Sequence, residues 1–169
     1  MLTRNYYLAL AAKEFSTVAT VVDVTGKENS KCGVPYSGSS GTIMEAMNNP
    51  RAGASMLSTG VYFGTGTTPP TMDDYKLTGD VFTSHSTVTS VTAVHEDASS
   101  TITAQYTVCN TGTADVTIGE IGLVSTIYQG SSGFGYMMIE RTVLDAPVTI
   151  PAGGVGQVTY TIRMNYPTA

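Results

Sequence analysis

The side chains able to do chemistry are few, and their spacing decides what each could do. His85 and His95 are the two histidines. On one extended strand, ten residues separate them by about 33 Å. They share a metal only if the segment folds back, so they read as surface or partly buried histidines. Asp73, Asp74 and Asp80 offer three carboxylates close in sequence, but without the spaced acidic pattern and closing glutamate of a calcium loop. Thr71 followed by Asp73 and Asp74 fits a helix start better: a capping hydroxyl, then negative charge at the positive end of the helix dipole. Glu120 and Glu140 are the candidate pair for glycoside hydrolysis, which needs two carboxylates flanking one bond. No tryptophan is present to stack on a sugar, and Glu140 beside Arg141 reads instead as a strand-surface or subunit contact. No serine lies in a Gly-x-Ser-x-Gly elbow. The run Gly130-Ser131-Ser132-Gly133-Phe134-Gly135 lacks the lysine and helix of a phosphate loop and reads as a partner-facing tip. Cys32 and Cys109 lie in no CxxC motif and read as free thiols. The expectation is no catalytic, cofactor-binding or metal site, and no enzyme.

Composition points the same way. The chain has 169 residues, 41% hydrophobic and only 12% charged, with a net charge of −5. That length suits one domain, or one domain plus an arm. Charge is about half the usual share of roughly 25%, and threonine, serine and glycine take its place. A neutral polar surface costs less to desolvate than a charged one, which favours a protein covered by neighbours. No basic cluster is available for phosphate contacts, which argues against nucleic acid as a partner. No apolar stretch reaches the length needed to cross a membrane as a helix. Met1–Ala12 carries Arg4 and a short apolar run cut off by Lys13 and Glu14, and does not read as a secretion signal.

These residues must be positioned mainly by strands. Residues 17–25 form a β-branched run, and 60–64 a short apolar one. Residues 1–15 and Thr42–Met47 have the makings of short helices, the second with Glu45 in a capping-box position. One or two helical turns are expected after Thr71. From residue 81 the pattern is repetitively β. In Thr101–Asn110, Ile102, Ala104, Tyr106 and Val108 alternate with Thr101, Thr103, Gln105 and Thr107. Strands are also expected over Phe82–Val94, Val116–Val124, Tyr136–Leu144, Pro147–Ile150 and Val155–Met164, where Val158, Tyr160 and Ile162 share one face. Seven or eight strands with turn signals roughly every 8–12 residues predict an all-β antiparallel sandwich, immunoglobulin-like or jelly-roll-like, with an irregular N-terminal arm and one or two short helices. Residues 1–79 read as arm, short helices and long loops partly packed on the core. Residues 80–169 read as the core, the two parts together forming one structural domain.

Two stretches carry a resemblance. One is Gly64-Thr65-Gly66-Thr67-Thr68-Pro69-Pro70-Thr71-Met72-Asp73-Asp74-Tyr75-Lys76-Leu77. The other is Glu120-Ile121-Gly122-Leu123, followed by Glu140-Arg141-Thr142-Val143-Leu144-Asp145-Ala146-Pro147-Val148-Thr149-Ile150-Pro151-Ala152-Gly153-Gly154 and the closing strand. Together they resemble a group of small structural proteins of tailed bacteriophages. The resemblance spans roughly residues 60–166 and contains no catalytic motif. It implies a virion part, assembled in the host cytoplasm, without saying which; the placements this reading takes are a capsid auxiliary or decoration protein, or a head–tail connector or collar component. The implied partners are copies of itself and capsid, portal or tail proteins. Asn110-Thr111-Gly112-Thr113-Ala114-Asp115 after a strand also suits an immunoglobulin-like module, so a binding domain of a tail fibre or cell surface is the alternative.

Ten tyrosines and eight methionines stand against four phenylalanines, and tyrosine and methionine are enriched at protein interfaces. Tyr6, Tyr7, Tyr36, Tyr62 and Tyr75, in the irregular half, together with Glu140 and Arg141, are the candidate interface residues.

Overall fold

The computed structural model describes residues 1–14, 19–32, 47, 50–51, 56–82, 86–128 and 134–165. The elements traced through the described residues are helix α1 (Arg4–Glu14) and strands β1 (Ala19–Val22), β2 (Glu28–Cys32), β3 (Gly60–Gly64), β4 (Ser86–Glu96), β5 (Ser99–Cys109), β6 (Val116–Tyr128), β7 (Phe134–Ile150) and β8 (Val155–Asn165). They build an antiparallel two-stranded ribbon β1-β2 and two three-stranded antiparallel sheets, β3-β6-β7 and β4-β5-β8. The sandwich expected from the alternating pattern is the fold.

Alternation explains which residues meet between the sheets. Ile102, Ala104, Tyr106 and Val108 of β5 and Val158, Tyr160 and Ile162 of β8 are buried. They face Val61, Phe63, Ile121, Leu123, Met137 and Ile139 of the other sheet in one cluster. Phe63 and Tyr106 meet edge to face across the gap, their ring centroids 5.4 Å apart, the arrangement that aromatic quadrupoles favour. The same cluster includes Ala9, Val21 and Met47, so the core draws on residues from both sides of position 80.

The sheet β3-β6-β7 is buried on its second face too. There Tyr62, Val124 and Met138 pack with Val24, Met56 and Leu77. Burial on both faces explains why Gly60–Gly64 reads as an unbroken apolar run: all five residues are buried, and a strand covered twice needs no polar parity.

Two expectations are corrected. No helix follows Thr71. Residues 71–74 make a turn in which Asp74 N–H donates to Thr71 O over 3.3 Å, and the chain then runs extended to pair Val81 with Gly64. The segments expected over 136–144 and 147–150 are one strand, β7. Pro147 is accommodated there because pairing with β6 is irregular between Val143 and Val148, where no ladder donor is required. Residues 1–3 lie along the outer edge of β7: Thr3 N–H donates to Ile139 O and Arg141 N–H to Met1 O, both over 3.1 Å. Asn5 clamps α1 to β1 with a reciprocal pair to the backbone of Val22, at 2.7 and 3.0 Å. Of the helix expected over Thr42–Met47, all but Met47 lies outside the described residues.

Candidate functional site

The densest polar constellation lies on the outer face of β3-β6-β7, under the loop Thr65–Asp80. The loop closes at its base, where Thr65 N–H donates to Asp80 O and Asp80 N–H to Thr65 Oγ1, each over 3.1 Å. A loop lying over a sheet carries backbone groups that no ladder satisfies. Two side chains from the sheet supply the partners. Glu120 of β6 accepts from Gly66 N–H at 3.2 Å, Thr78 N–H at 3.3 Å and Gly79 N–H at 2.7 Å. Arg141 of β7 donates through Nη2 to Thr68 O at 2.9 Å and to Thr78 Oγ1 at 2.8 Å. The Thr78 hydroxyl in turn donates to Glu120 Oε2 at 3.3 Å.

The two side chains also bind each other. Arg141 Nε lies 2.7 Å from Glu120 Oε2, and both side chains are fully enclosed. Nη1 of Arg141 reaches Asp74 Oδ2 at 2.8 Å. Burial alone would raise the Asp74 pKa. Hydrogen bonds from Thr71 N–H, Arg141 and the Thr71 hydroxyl, with the guanidinium charge, outweigh it and hold the carboxyl below its ordinary value of 3.8. Close packing within the loop and against the sheet requires glycine at two points. A Cβ on Gly79 would sit 2.2 Å from Gly66 N, and one on Gly66 2.3 Å from Glu120 Oε1.

On the opposite face, inside the sandwich, Glu140 takes a hydrogen bond from the hydroxyl of Tyr160 and one from the amine of Met1. Burial, then the adjacent carboxylate, pushes the Tyr160 phenol well above its usual range. Glu120 and Glu140 thus project to opposite sides of one sheet and cannot flank a single glycosidic bond. Asp73 and Asp74 also diverge: Asp73 pairs with Arg4 at 3.0 Å in an exposed contact, while Asp74 turns inward to Arg141. Among the described residues, no three His, Cys, Asp or Glu side chains gather as a metal site. His95 Nδ1 contacts Ser100 Oγ at 2.7 Å, and His85 lies outside the described residues. Cys109, half-buried on β5, is a free thiol.

The candidate interface residues are not brought together. Glu140 and Arg141 are internal, not on a strand surface: every polar arm of Arg141 is used within the chain. Tyr62 is buried, its hydroxyl 2.8 Å from Ser58 Oγ. Tyr6 is half-buried and meets Tyr7 edge to face, and Tyr7 is exposed. Tyr75 is half-buried beside Lys76, and Tyr36 lies outside the described residues. The reading from residue type missed the pairing of Glu120 with Arg141. Its signal was two charges set mid-strand among apolar neighbours in a charge-poor chain. Gly66, Thr68, Asp74, Glu120 and Arg141 all come from the two stretches Gly64–Leu77 and Glu120–Gly154. No family model, no curated protein and no solved structure matches this chain.

Two outcomes follow for stability. Arg141→Met leaves two carboxylates without their cation and should cost about 3–5 kcal/mol in urea unfolding at neutral pH, the range for removing one partner of a buried pair; a loss below about 1 kcal/mol would mean that the pair carries no such role. Because folding lowers the Asp74 pKa, its contribution is complete above the unfolded value and is lost as pH falls through the folded one. The stabilities of wild type and Asp74→Asn should therefore differ at neutral pH and converge on acidification, as read from unfolding curves across that range.

Proposed function

We propose that this protein is a structural component of a tailed-bacteriophage virion that acts by assembling with copies of itself and with other virion proteins, as a capsid auxiliary or decoration protein or a head–tail connector or collar part. The resemblance carried by Gly64–Leu77, by Glu120–Leu123 and by Glu140–Gly154 with the closing strand supports the virion assignment. The observation that carries assembly is the outer face of β4-β5-β8. Its cross-strand rows are Thr92–Thr103–Thr161, Ser90–Gln105–Thr159 and Thr87–Thr107–Gln157. These rows are neutral, and Thr103 and Thr161 share a hydroxyl contact of 3.2 Å. Charge enters at one end only, where Arg163 stands 3.8 Å from Glu96. Such a face loses little on desolvation and matches the depletion of charge at the centres of protein interfaces. The enclosed ionic groups, by contrast, are turned inward to hold a loop.

Light scattering over a concentration series tests the reading. The expected result is a mass that rises to a whole-number multiple of the chain mass. A single-chain mass at every concentration would overturn self-assembly and favour an immunoglobulin-like binding module.

A further inference from the structure

Sheet edges differ sharply in how they are covered. The edge of β3 is occupied: Arg51 N–H donates to Val61 O at 2.8 Å and Phe82 N–H to Phe63 O at 2.7 Å. The edge of β7 is lined by Met1–Thr3 along Ile139–Arg141. Among the described residues β8 pairs with β5 alone, but it packs against β7 through Tyr160 and Glu140 and carries Arg163. β4 stands apart. Among the described residues nothing pairs with its outer edge, and no residue of the strand is buried. From Thr92 to Glu96 every residue is exposed, including Val94 at 54%.

An uncovered strand presents a row of free N–H and C=O groups, which natural proteins blunt with lysine, proline, brevity or a bulge. β4 has 11 residues, no lysine and no proline. Its irregularity lies between Val88 and Ser90, which leaves Ser90–Glu96 as a regular run. Within that run Val91, Ala93 and His95 lie opposite the buried Ala104, Ile102 and Ser100, and so share the inner face; Thr92 and Val94 lie opposite Thr103 and Thr101 on the outer face.

We infer that β4 pairs antiparallel with β4 of a second copy of this chain about a two-fold axis, joining two three-stranded sheets into one. This rests on the assembly reading above and names its contact. The run is self-complementary. With Ala93 on the axis, Val91 meets His95 of the second copy, Thr92 meets its Val94, and Ser90 meets its Glu96. Inner residues meet inner ones and outer meet outer. The only acidic residue of the strand never faces its own copy, so no like charges are opposed.

The test uses the full chain with Thr92→Lys and Val94→Lys together. Both positions are exposed, so the unfolding midpoint should hold. In the pair, the new positive charges would stand directly opposite one another. By light scattering, the variant should show half the wild-type mass or less. Mixing it with the Thr92→Glu/Val94→Glu chain should restore the wild-type mass as a mixed pair. If the lysine variant assembles like the wild type, or the mixture does not recover, β4 pairing is wrong while assembly stands. If the wild type itself stays a single chain, assembly and β4 pairing fall together.

Discussion

A guanidinium with no access to water must find all its partners inside the chain, and Arg141 finds them in Glu120, Asp74, Thr68 and Thr78. An unpaired charge in that position would cost several kcal/mol. The conformation of Thr65–Asp80 is therefore tied to the register of β6 and β7. Glu120 adds the reverse constraint, because its carboxylate is satisfied by amides of Gly66, Thr78 and Gly79 that only the closed loop presents together. Loop and sheet each complete the other's hydrogen bonding.

The remaining architecture follows from this constraint. With the loop fixed, Leu77 is held against Met138 and Val124, and the second apolar cluster can form. The central sheet is then buried on both faces. One face meets β4-β5-β8 through the main core, and the other lies under the loop. Met72 O accepts from Arg4 N–H at 2.6 Å, so the start of α1 rests on the same loop. One sheet is thus enclosed, and the other keeps a broad neutral face and the open edge of β4.

Much of this was legible where alternation is strict. The buried set of β5 and of β8 coincides with the apolar parity of each segment, and that parity alone defines a sandwich. Where burial is two-sided the parity vanishes, which is why Tyr62 gives no sign of being enclosed. Helix signals after Thr71 were misleading because Asp74 serves a cation 67 residues away, a partner that local propensity cannot reveal. Glu140 and Arg141 are neighbours in sequence and suggest one joint contact. The period of a strand sends them to opposite faces instead, one to Tyr160 between the sheets and the other beneath the loop.

Ionic groups hold the interior loop, while hydroxyls and amides occupy the outer face of β4-β5-β8. The central claim is that the loop Thr65–Asp80 is part of the folded core, held there by Glu120 and Arg141. Hydrogen exchange at the amides of Gly66, Thr78 and Gly79 tests it most directly. Amides donating to an enclosed carboxylate beneath a closed loop should exchange only with global unfolding, as slowly as those of β6. Rapid exchange at these three amides while β6 remains protected would show that the loop opens independently and would contradict the account.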